Sequence, residues 1–99
     1  MANSMILEIP IKGEKRDEFI GVMNAELPKT QAYDGCRHIE FWTPEEEPNL
    51  VMFYEVWESK EHQAKYFQWR IETGLMEALG PFLTGEPKVR WLDVHPIGA

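Results

Sequence analysis

Apolar and polar residues recur along this chain with two different periods, and the switches between them divide it into six main elements. Residues 5–12 alternate with period two: Met5, Leu7, Ile9 and Ile11 share one face, with Glu8 and Lys12 on the other. That is the pattern of a strand. Pro10 has no N–H to give a ladder, so part of this strand is expected at a sheet edge or at a local irregularity. Gly13 ends it. Over residues 14–27 the period changes to that of a helix, with Phe19, Val22, Met23 and Leu27 as the buried stripe and acidic residues early, where the helix dipole favours them. Pro28 clashes with a continuing helix, so a kink or restart is expected there, the element running on to about residue 32.

Asp34-Gly35 marks a turn. The strand expected over 36–43 places Cys36, His38, Glu40 and Trp42 on one face and Arg37, Ile39, Phe41 and Thr43 on the other. Residues 44–49 form a polar loop short enough for an antiparallel hairpin. Its Glu45, Glu46 and Glu47, set between Pro44 and Pro48, lack the ligand spacing of a calcium loop and read as a solvated turn. Residues 50–58 organise the rest of the chain. The first eight of them are β-branched, aromatic or long apolar except at Glu55, as suits a strand buried on both faces. Ser59 then supplies an N-cap and opens a helix expected over 60–73, with Ala64, Phe67 and Ile71 as its apolar stripe. His62, Tyr66, Trp69 and Thr73 make a second line beside that stripe. Gly74 bends the chain; Leu75, Met76, Leu79, Phe82 and Leu83 predict another short helical stretch, and residues 88–95 a last strand.

The order strand, helix, strand, strand, helix, strand closes, with right-handed crossovers, as an α+β ferredoxin-like fold. This is a four-stranded antiparallel sheet with the helices on one face. The other face is left open although its strands carry apolar residues on both sides, so a second copy is expected to cover it, giving a homodimer.

Composition narrows the picture. Ninety-nine residues, 43% of them hydrophobic and 12% aromatic, fit a single domain over 1–99 without staples. Cys36 is the lone cysteine, which rules out an intrachain disulfide and fits a reducing, cytoplasmic setting. A formal charge of −7 disfavours nucleic acid or an anionic membrane as partner. Neither a leader nor a membrane-spanning stretch is expected from the pattern of apolar runs.

No phosphate loop, H-E-x-x-H or nucleophile elbow occurs. What remains is a set of aromatics with a few titratable groups around the strand–helix junction: Glu55, Trp57, His62, Tyr66, Trp69 and Arg70, with His38 from the neighbouring strand. Trp57, Tyr66 and Trp69 could equally be core or rim aromatics, and His38 and His62 ordinary hydrogen-bonded histidines. Glu55 is harder to set aside. A carboxylate inside an apolar strand costs several kcal/mol unless it is paired, here with Arg70 or Arg90, or held protonated as an acid or base. Three scattered histidines give no metal-ligand spacing, so no metal is expected.

D-G-C at 34–36, L-V-M-F-Y-E-V-W-E-S-K-E at 50–61 and G-P-F-L-T-G-E-P-K-V-R-W-L-D-V at 80–94 resemble the antibiotic biosynthesis monooxygenase family. The stretch Y-F-Q-W-R-I-E-T-G-L at 66–75 is similar to its quinol monooxygenase-like members. The resemblance implies a dimeric α/β barrel, two ferredoxin-like sheets face to face, with a pocket in each subunit between sheet and helices. It implies oxidation of a small aromatic substrate, a quinol or aromatic polyketide, by molecular oxygen with no metal, flavin or haem. By position it makes Trp57, His62 and Trp69 substrate-binding, with Tyr66 beside them, and gives His38, Glu55, Tyr66 or Arg70 the handling of protons or of an oxyanion. Two departures stand out. Many relatives carry a histidine where this chain has Tyr66, and haem-degrading relatives need a strand-one asparagine, which here falls near Ile6, and a later helical histidine than His62. Haem degradation is therefore not expected.

Overall fold

The computed structural model describes residues 2–98. Strand β1 (Asn3–Pro10) leads through a 3-10 turn, Gly13–Lys15, into helix α1 (Arg16–Gln31). The hairpin of β2 (Cys36–Trp42) and β3 (Leu50–Trp57) follows. Helix α2 (Lys60–Glu72), the short helix α3 (Leu75–Leu79) with a further 3-10 turn, and strand β4 (Lys88–Leu92) complete the chain. The strands lie in the order β2-β3-β1-β4, all pairings antiparallel, which is the ferredoxin-like topology expected from the element order.

Cross-strand partners share a face, so the register sorts every strand residue. Met5, Glu55 and Ile39 form one row, Leu7, Phe53 and Phe41 the next, and Ile9 with Val51 a third. These point toward the helices, where Phe19 and Met23 of α1 and Leu79 and Phe82 after α2 complete the core. The opposite face carries Ile6, Met52, Tyr54, Val56, Trp42 and Leu92 and has no helix over it.

Pro10 sits at the end of a central strand rather than on an edge. Its neighbour Ile11 donates toward β3, to Asn49, so the missing Pro10 N–H falls on the β4 side, beyond the last β1–β4 pair at Glu8 and Lys88. No ladder bond is lost. Helix α1 likewise runs through Pro28 without a break, with the Ala32 amide donating back to the Pro28 carbonyl.

Two expectations are corrected. A β-bulge between Cys36 and His38 sets Cys36 opposite Trp57 and His38 opposite Val56. Cys36 therefore joins Ile39 and Phe41 toward the helices, while His38, Glu40 and Trp42 keep the open face. An extra residue shifts the parity of a strand, and strict alternation cannot reveal it. In α2 the apolar stripe is not the buried one: Phe67, which still lines the pocket, and Ile71 are 45% and 44% exposed. The helix instead buries Arg70, at 2% exposure, and turns Tyr66 and Gln63 to the pocket below it.

Candidate functional site

Between the helix-facing side of the sheet and α1–α3 lies a pocket of about 390 Å³, within the range of small-molecule sites. Its walls are mostly apolar, among them Leu7, Met23, Phe53, Met76, Leu79 and Leu83. Glu55, Gln63, Tyr66, Arg70 and Glu26 also line it. Both the strand and the helix that flank the junction thus contribute polar groups to an apolar cavity.

Glu55 occupies this floor because β3 places it on the face of Phe53 and Trp57. It is 4% exposed and accepts one hydrogen bond, from the indole Nε1 of Trp57 at 2.8 Å. Burial pushes its carboxyl above the usual range, partly offset by that indole donor. Neither expected arginine partner is there. Arg90 approaches Glu8 at 3.4 Å, and Arg70 pairs with Glu26 at 2.8 Å.

Arg70 is the centre of a closed network between α2 and α1. Its Nε donates to the Tyr66 hydroxyl at 2.8 Å, one terminal nitrogen to Glu26 Oε1 at 2.8 Å, and the other to the Glu26 carbonyl and to Thr30 Oγ1 at 2.9 Å each. The Thr30 and Tyr66 hydroxyls share a hydrogen bond of 2.6 Å. Burial raises the Tyr66 phenol, against the opposing pull of those bonds, so it remains a neutral group. Glu26 is lowered, first by the hydrogen bond from Lys29 and further by Arg70, against desolvation.

The aromatics sit behind this network. Trp57 is fully buried under Tyr66, ring centroids 5.1 Å apart, and Tyr33 lies 5.3 Å from Tyr66 and 5.2 Å from Trp69. The Arg70 guanidinium stands 4.8 Å over the Trp69 ring. Trp57 and Trp69 are therefore supports of Glu55 and Arg70, and the pocket wall is made by other residues.

Two of the seven candidates lie elsewhere. His38 is on the open face, where its Nε2 donates to Glu40 at 2.6 Å and the Trp42 indole donates to the same carboxylate at 2.7 Å. The sheet separates it from Glu55. His62 lies in the first turn of α2: its amide donates to Ser59 Oγ at 3.1 Å and its Nδ1 bonds the same oxygen at 2.6 Å. There it is held by the Ser59 N-cap and packs on Gly35, whose φ of +87° and lack of a Cβ make room for the ring. Glu26 was not among the candidates. Its signal was its place three residues after Met23 on the inward edge of α1, obscured by the general abundance of exposed glutamates.

Among the described residues no three metal-ligating side chains converge, and no helix is long and apolar enough to cross a membrane. The sequence profile of the antibiotic biosynthesis monooxygenase family matches residues 4–70. An uncharacterized protein of Synechocystis is 30% identical over 60 residues, a match spanning 61% of this chain but only 41% of that relative. A crystal structure described as an antibiotic biosynthesis monooxygenase superposes with a TM-score of 0.83 at 19% identity, covering 97% of this chain and all of that one. Rv0793 of Mycobacterium tuberculosis gives 0.81 at 16% identity with both chains covered completely. PA3566 of Pseudomonas aeruginosa gives 0.82 at 13% identity over 96% of this chain and 95% of that one. At such identities the likeness is one of fold.

Proposed function

We propose, from the premise that the chain belongs to the antibiotic biosynthesis monooxygenase family, that it oxygenates a quinol or an anthrone-like aromatic in the sheet–helix pocket using molecular oxygen alone. One observation carries the reading: a buried, unpaired carboxyl, Glu55, faces an otherwise largely apolar cavity. Burial that raises its proton affinity makes its carboxylate a stronger base than one in water.

For an anthrone the steps balance as follows. The Glu55 carboxylate takes one proton from the ring methylene. The resulting carbanion passes an electron to oxygen, the radical pair combines to form the C–O bond, and Glu55 returns its proton to give the hydroperoxide. Loss of the second C–H proton with O–O cleavage then leaves the ketone and one water. The substrate is oxidised by two hydrogens and gains one oxygen atom; the other oxygen atom is reduced to water. The apolar walls exclude water from the carbanion. Tyr66 forms part of the wall, and Trp57 orients Glu55 through its indole N–H.

A binding module without turnover on the same fold would be served by a Glu55 locked to an arginine. Arg70 paired with Glu26 favours the catalytic reading instead. The reading includes a homodimer through the open sheet face, supported by the exposed Trp42 and Leu92 there, and a cytoplasmic setting, supported by the free Cys36 thiol.

Oxygen uptake by metal-stripped protein, with a panel of anthrones and hydroquinones, tests the proposal. Uptake above autoxidation should disappear in Glu55→Gln while the protein stays folded. Uptake that survives this change, or none across the panel, would overturn it.

A further inference from the structure

The register orders the pocket floor from polar to apolar. Glu55 lies at one end, Phe53 and Leu7 form the next row, and Ile9 the last, a span of about 13 Å over four residues of strand. Leu83 closes the Ile9 end, since it bridges Ile11 and the following Thr84 amide donates to the Pro10 carbonyl. Hydrogen-bonding side chains of the sheet floor are thus confined to the Glu55 end.

The charge of the lining matters as much. Arg70 is the one cation among the described lining residues. A guanidinium has five N–H groups, and here it makes four hydrogen bonds, one of them to a carboxylate. Its charge is matched by Glu26, and its planar fork is turned to α1. A ligand anion entering the pocket would find no unmatched cation and would face the Glu55 carboxyl.

We propose that the pocket selects an uncharged apolar ring system with its hydrogen-bonding group at one end, seated against Glu55, and rejects the same skeleton bearing a carboxylate. The inference rests on the pocket reading above and adds to it the class of substrate. It also withdraws Arg70 from oxyanion binding and makes it a positioning residue that fixes α2 over the site.

Calorimetric titration with 2-naphthol and with 6-hydroxy-2-naphthoate at neutral pH tests this without turnover. Burying an unpaired ion costs several kcal/mol, so the naphthoate should bind at least ~100-fold more weakly. Equal affinities, or failure of 2-naphthol to bind, would overturn the proposal. Glu26→Gln unmatches the Arg70 charge and should narrow the ratio at least ~10-fold, an effect of about one buried ion-pair contact. Should that variant fail to fold, Glu55→Gln removes the facing acid and should narrow the ratio too. An unchanged ratio in a folded variant would sink the charge argument. Binding of 2-naphthol without oxygen uptake on any anthrone would defeat the oxygenase reading alone and leave the selectivity standing.

Discussion

Replacing Glu26 by Met strips the anion from a guanidinium that is 2% exposed, while leaving its bonds to Tyr66, Thr30 and the Glu26 carbonyl in place. Breaking a buried ion pair from one side typically costs about 3–5 kcal/mol. The Glu26 side chain is itself 24% exposed, so some water already reaches the pair, and the lower end, about 3 kcal/mol, is expected. For a domain of this size that corresponds to a fall in Tm of about 12 °C or more, out of a total stability of only about 5–15 kcal/mol. Adding Arg70→Met removes the stranded charge and leaves Thr30 and Tyr66 to satisfy each other. The double variant should therefore recover about 1 kcal/mol or more over Glu26→Met alone. Urea unfolding at one fixed protein concentration measures both. A Glu26→Met protein within about 1 kcal/mol of the parent, or a double variant less stable than the single, would refute the account of Arg70 as a charge held by its partner.

Glu55 gives a pH signature. Its folded carboxyl is raised above the ordinary value of 4.5, so its contribution is fully present below that value and is lost as pH rises through the folded one. Glu55→Gln should flatten this decline and be the more stable protein at neutral pH, read by urea midpoints across pH, even as turnover falls. Trp57→Phe removes the donor that favours the carboxylate, so the acid limb of kcat/KM against pH should move to higher pH; an unmoved limb would remove Trp57 from the site. Gly35→Ala places a Cβ at positive φ against both the ring and the Cβ of His62, so it should lower the thermal midpoint, and adding His62→Ala, which keeps that Cβ, should recover only part of the loss; full recovery in thermal melts would refute the contact. Trp42→Asp on the open face should shift the protein to a smaller species in light scattering without touching the pocket.

The six-element order and the topology were legible because they rest on long periodic runs and on connection rules that admit few alternatives. Glu55 was legible because a charge in an apolar strand stands out against its neighbours. The inward face of α2 was not. Residues 62–70 offer an apolar stripe through Phe67 and an amphipathic line through Tyr66 and Trp69, and hydrophobicity ranks the first above the second. The deciding contact is Arg70 with Glu26, a pair 44 residues apart that no local pattern encodes. Trp57 illustrates a different gap: its strand and face were readable, whereas whether it walls the cavity or stands behind Glu55 depends on the depth at which α2 packs.

The bulge in β2 also sets how this strand can vary. From His38 onward each residue takes its side of the sheet from its register with β3, and the extra residue lets Cys36 join the core side as well, since a shift of one position exchanges the two faces. Changes of identity at His38, Glu40 or Trp42 stay on the open surface, and those at Ile39 or Phe41 stay on the core side. A change of length is another matter. Removing Arg37, the bulged residue, would straighten the ladder and leave Cys36 opposite Trp57 on the core side, while inserting a residue after His38 would bring Glu40 under the helices in place of Phe41. The strand is thus forgiving of substitution and, past its bulge, intolerant of insertion or deletion, so from His38 onward its residue count is under tighter constraint than its composition.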